Sequence, residues 1–109
     1  MHLKGFILRK KKISSWNNTY FSKANVIYPK GINELKRLIK LLKKKNKNYL
    51  IRTGACSYDS KSINPDLDTI IISLLHFKKI TKINFVKKII EVEAGVLISE
   101  IIKEVKKKN

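Results

Sequence analysis

The chain is 109 residues long and 43% hydrophobic, enough for one buried core. It carries 25 Lys and Arg against 8 Asp and Glu, a formal net charge of +17, which attracts nucleic acid, anionic lipid and other polyanions. No stretch approaches the roughly 20 apolar residues of a membrane-spanning helix, and a lone cysteine excludes an internal disulfide.

Residues 1–13 read as a basic N-terminal segment, whose only apolar island, Phe6-Ile7-Leu8, is too short for a signal-peptide core. Asn25-Val26-Ile27-Tyr28-Pro29 is β-prone and closed by proline. Ile32, Leu35, Leu38, Ile39 and Leu42 recur at helical spacing, which predicts a helix over Ile32–Lys45 started by Gly31 or Asn33. Lysines at its end complement the helix dipole. Strands are predicted at Val26–Tyr28, Tyr49–Arg52, Thr69–Ser73, Ile80–Ile83 and Ile89–Ala94, the last two turning about Val86-Lys87-Lys88. Along the fifth strand Ile90, Val92 and Ala94 share one face, with Ile89, Glu91 and Glu93 on the other. Ile98, Ile101, Ile102 and Val105 form the stripe of a final helix over Leu97–Lys107. The order predicts an α+β fold, a small sheet flanked by helices whose apolar stripes pack on it.

Between the second and third strands lies Arg52-Thr53-Gly54-Ala55-Cys56-Ser57-Tyr58, a run of mostly small residues after an apolar segment. Small side chains let backbone N–H groups approach a phosphate or pyrophosphate closely, although such loops are also plain turns. Asp66 and Asp68 around Pro65 read as turn residues.

Four stretches in order resemble the N-terminal part of the FAD-binding domain of the vanillyl-alcohol oxidase/para-cresol methylhydroxylase (PCMH) family, nearest its sugar-lactone and decaprenylphosphoryl-ribose oxidase branch. That family's Arg-Gly-x-Gly-x-Ser-Tyr-Gly-Asp loop is similar to Arg52 through Ser60. Ser15-Trp16-Asn17-Asn18 with Ala24-Asn25-Val26 is similar to its lead-in and first strand. Asn64, Thr69 to Leu74 and Lys79-Ile80 follow its next strand, and Glu93-Ala94-Gly95-Val96 with Ile98 and Ile101 its strand end and helix. The likeness runs from Ser14 to Val105, so residues 14–109 are expected to be the N-terminal part of an FAD-binding domain, truncated here.

The resemblance implies FAD as cofactor, with backbone amides from Thr53 to Ser57 on the pyrophosphate, the Ser57 hydroxyl as a further donor, and Tyr58 beside the cofactor. Arg52, Thr53, Gly54, Ala55, Cys56, Ser57 and Tyr58 are thus the expected cofactor-binding residues. Thr53 and Ala55 replace family glycines. Where positive φ is required, a β-branched threonine costs about 1–3 kcal/mol. The histidine that carries covalent flavin in some members falls at Cys56. That cysteine reads as a small residue filling a tight loop, with a reactive thiol or flavin attachment point as the alternative.

No catalytic residue is assigned. His76 reads as a solvated surface histidine, and no metal-ligand spacing or Ser–His–Asp set occurs. The implied activity is FAD-dependent oxidation of a sugar, sugar lactone or similar alcohol. The segments that complete the cofactor and substrate sites have no counterpart, so FAD binding is expected to be weak or absent in the isolated chain. A downstream chain is the expected partner, because the terminal lysine run is adenine-rich and suits a frameshift or premature stop. The single cysteine fits a reducing, cytoplasmic compartment. The second reading is a small basic binding module for nucleic acid or an anionic membrane surface. Against it, the excess is mostly lysine of the kind A/T-rich codons produce, and arginine, suited to bidentate phosphate readout, occurs only at Arg9, Arg37 and Arg52. No nucleic-acid-binding signature is present, so specific nucleic-acid recognition is not expected.

Overall fold

The structure, a computed structural model, describes residues 3, 5–14, 21–53 and 69–108. Strand β1 (Arg9–Ser14) runs antiparallel to β2 (Phe21–Ile27), pairing Arg9 with Val26 and Ser14 with Phe21. Helix α1 (Ile32–Lys44) then crosses to β3 (Tyr49–Arg52), and β4 (Ile70–Ser73) inserts between β2 and β3, parallel to both. The resulting order is β1-β2-β4-β3.

The central strand explains this placement. All of Ile70, Ile71, Ile72 and Ser73 are buried, as expected of a parallel strand covered on both faces. Ile70 and Ile72 join Ile27 and, from α1, Leu38 and Leu42 in the main core, while Ile71 faces the other way with Ala24 and Val26. Leu3 is also fully buried in the main core, and Arg37 lies 4.3 Å from the centre of the Phe6 ring, so the start of the chain is strapped across the helix.

Helix α1 begins at Gly31, which offers no side-chain cap. Glu34 instead accepts the Lys30 backbone N–H at 3.3 Å. Its far end is a Schellman closure. The Lys47 N–H donates to the Leu42 carbonyl at 2.9 Å and the Asn46 N–H to the Lys43 carbonyl at 3.1 Å, with Asn46 at φ 55°.

Strands β5 (Ile80–Asn84) and β6 (Ile89–Val92) form a separate two-stranded hairpin, where the sequence suggests one continuous sheet. Both edges of β4 are already occupied by β2 and β3, and the alternation of Ile with Lys82 and Glu91 suits a pair with one face in water. The residues flanking the hairpin close its base. Lys79 and Glu93 exchange two 2.8 Å contacts, Lys79 N–H to the Glu93 carboxylate and Glu93 N–H to the Lys79 carbonyl. Gly95 presses against the carbonyls of Leu74 and Phe77 so closely that a Cβ there has no room.

Helix α2 (Ile98–Lys108) starts with Glu100 accepting the Leu97 N–H at 2.9 Å and pairing with Lys78 at 2.8 Å. Its apolar stripe is not buried as the periodicity suggests. Ile101 and Val105 are half-covered, while Ile98 and Ile102 are 72% and 50% exposed. Periodicity reports which residues share a face, and here the described structure covers only part of that face.

Candidate cofactor site at the carboxyl ends of the parallel strands

Three parallel strands end on the same edge of the sheet. The β2 end leads to Tyr28, the β3 end to Arg52 and Thr53, and the β4 end to Ser73, Leu74 and a turn holding His76. The first turn of α1 opens on that edge too, because only residues 28–31 separate it from β2. In open α/β sheets this edge is where ligands bind, since loops there are free to diverge and helix amides point outward.

Arg52 anchors the edge. It is the last residue of β3, opposite Ser73, and its carbonyl accepts the Leu74 N–H at 2.9 Å. Burial pulls its guanidinium below the usual arginine range, and neighbouring Tyr28 opposes that shift. Arginine starts so high that the group stays charged at physiological pH. A half-buried cation on this edge has the charge that attracts an anionic group such as a pyrophosphate.

Thr53 follows as an exposed bend. Among described non-glycine residues only Asn46 and Lys88 have positive φ, so Thr53 does not incur the backbone strain its β-branch threatens. Gly54, Ala55, Cys56, Ser57 and Tyr58 lie outside the described residues, as do the amides expected to hold phosphate.

The fold brings in two residues that the sequence reading left out of the site. Tyr28 and His76 meet edge to face, 6.3 Å between ring centres at 67°. The signal was present but indirect: each follows a strand that belongs to the parallel set, Tyr28 directly and His76 by three positions. His76 is exposed, as its sequence context suggests. Among the described residues no group of His, Cys, Asp or Glu could hold a metal, and no helix is long and apolar enough to cross a membrane.

Residues 24–109 match the model of a family described as FAD binding domain. A comparison with curated proteins returned no match. Among solved structures, cholesterol oxidase from Brevibacterium sterolicum superimposes with a TM-score of 0.80 over 98% of this chain at 17% identity. A histidine-to-alanine mutant of it gives 0.80, 98% and 16%. At that identity the likeness is one of fold, and this chain spans 21% of the length of each.

Proposed function

The chain belongs to the FAD binding domain family, and from that premise we propose that it is the phosphate-holding portion of an FAD-dependent oxidoreductase. The cofactor is FAD. The observation that carries the reading is the convergence of three strand ends on the edge where Arg52 leads into the small-residue segment. Arg52, Thr53, Gly54, Ala55, Cys56, Ser57 and Tyr58 hold the pyrophosphate in this reading, with residues 14–109 forming the FAD unit. When bound, the flavin supplies the redox chemistry, while the chain binds and orients it.

The substrate in this reading is a sugar, sugar lactone or similar alcohol, an assignment supported by the order of the four motifs. A further polypeptide completes the cofactor and substrate sites in a cytoplasmic setting. Exposed Ile98, Ile102, Phe85 and Ile89 support that completion, because they leave apolar area on α2 and the hairpin uncovered. One loop supplies few contacts against the cost of ordering a dinucleotide, so the chain alone holds FAD weakly or not at all. A basic module for nucleic acid or membrane is not favoured over this reading.

Titration of FAD with the chain, followed by flavin fluorescence quenching, tests the proposal. Arg52→Gln is expected to weaken whatever binding the parent shows. Equal quenching by the variant and by a parent that does bind FAD would remove Arg52 from the site. Submicromolar binding with substrate-dependent bleaching in the isolated chain would overturn the need for a completing polypeptide.

A further inference from the structure

The two edges of the four-stranded sheet are built differently. At one, β1 carries Arg9, Lys10, Lys11 and Lys12, the kind of charge that discourages a further strand. At the other, β3 reads Tyr49-Leu50-Ile51-Arg52, with neither lysine nor proline, and it pairs with β4 without a register shift that would twist the edge away. Among the described residues no strand lies beyond it. Leu50 and Ile51, on opposite faces of the strand, are 38% and 51% exposed. The ladder fixes where the backbone groups point. The carbonyls of Asn48 and Arg52 accept the N–H groups of Ile70 and Leu74 at 3.0 and 2.9 Å. By alternation the N–H and carbonyl groups of Tyr49 and Ile51 face away from β4, toward the open edge. A recess of about 430 Å³ opens where this edge begins, lined by Lys47, Asn48, Tyr49, Leu50 and Thr69. It sits at the amino ends of β3 and β4, opposite the strand ends that carry the cofactor reading. No carboxylate lines it, and neither of the two ion pairs among the described residues involves Lys47.

We infer that the outer edge of β3 is a strand-addition site for an extended acidic segment of another polypeptide, with one carboxylate of that segment seated beside Lys47. In this mode main-chain hydrogen bonds supply the binding and a side-chain recess supplies the selection. Tyr49 and Ile51 offer the main-chain groups, and apolar side chains of the added strand cover Leu50 and Ile51 from the two faces. Charge chooses the occupant. A second copy would bring another +17 against this chain's own +17, whereas an acidic segment is drawn toward it. The inference uses neither the Arg52 side chain nor the segment after it, so it stands whether or not the chain holds FAD.

A short synthetic peptide alternating glutamate with valine, titrated into the whole chain and followed by NMR, is the probe. The Tyr49 and Ile51 amides should shift saturably, with a Kd below about 1 mM, and exchange more slowly with solvent. Ile51→Pro removes an outward N–H that β4 does not use and should weaken binding about tenfold, and Lys47→Gln about threefold. Circular dichroism checks that the variants remain folded. The same peptide with every backbone amide N-methylated keeps its charge but cannot donate to the ladder, and it tests the mode with the protein unchanged. It should not bind. Equal binding of the N-methylated peptide, or of a lysine–valine peptide, would overturn the inference, as would no saturation below about 1 mM. Slow exchange of both amides in the dilute chain by itself would place the chain's own residues on the edge, and concentration-dependent shifts along β3 would place a second copy there. Either result would also overturn it.

Discussion

Gly95→Ala should destabilise the protein, because the backbone at Gly95 lies where no side chain fits. A Cβ built there falls onto the carbonyl oxygen of Leu74 and lies 2.5 Å from that of Phe77. Neither obstacle is the end of a flexible side chain. Both carbonyls belong to the turn in which Phe77 N–H donates to Leu74 O at 3.0 Å, and Leu74 and Phe77 are 6% exposed core residues. Overpacking of this kind costs about 1–3 kcal/mol, and loss of the turn's hydrogen bond adds about 0.5–1.5 kcal/mol. Alanine restricts the unfolded chain and returns about 0.4–1 kcal/mol. Taking the middle of each range, the net is a loss of about 2.3 kcal/mol. For a domain of this size that lowers Tm by about 10–20 °C. Urea and thermal unfolding followed by circular dichroism measure it, with Gly31→Ala as reference, since nothing lies within 4 Å of a Cβ at Gly31. A Gly95→Ala protein melting within a few degrees of the parent would refute the reasoning and show that the hairpin shifts freely against the sheet.

Leu38→Ala removes a fully buried side chain between α1 and β4 and should cost about 2–5 kcal/mol in urea unfolding. Lys88 adopts φ 56° at the end of the hairpin turn, so Lys88→Gly should stabilise by about 1 kcal/mol, read as a raised Tm. Glu100 is held below the usual carboxylate range first by its hydrogen bond from Lys78 and then by the Leu97 N–H. Its stabilising contribution is therefore complete above the ordinary carboxylate pKa and is lost as pH falls through the lowered folded value. Parent and Glu100→Gln should differ in Tm near pH 7 and converge in strong acid, and a gap unchanged by acid would contradict the assignment.

Much of the fold was legible because the strongest periodic signals coincide with the buried elements. Leu35, Leu38, Ile39 and Leu42 marked α1 within a residue of its end, and the run Ile70-Ile71-Ile72 marked the central strand. Strand β1 was not legible: Arg-Lys-Lys-Lys-Ile-Ser has no alternation, and it pairs as an edge strand where lysines are suited to solvent. The separate hairpin was equally hidden, since periodicity gives faces and not neighbours. At the site, Arg52 could be read from its place after a β-prone run. The Tyr28–His76 contact could not, because it exists only once β2 and β4 lie side by side.

The placement of β4 between β2 and β3 bears on how the protein is made. A ribosome releases β2, α1 and β3 before the strand that joins them has left the exit tunnel. Until then β2 can pair only with β1, and β3 has no strand to pair with, since in the finished sheet β4 is its sole neighbour. The four-stranded sheet cannot close without β4, and unpaired edges of this kind invite aggregation. Closure waits on the chain between Arg52 and Ile70, whose length enters the entropy of joining only logarithmically, about 0.6 kcal/mol per doubling. Stiffness and local conformational preference in that stretch therefore weigh more than length. The same stretch begins with the residues proposed to meet phosphate, so on that proposal a substitution there would act twice, on ligand affinity and on the speed with which a newborn chain escapes its most vulnerable state.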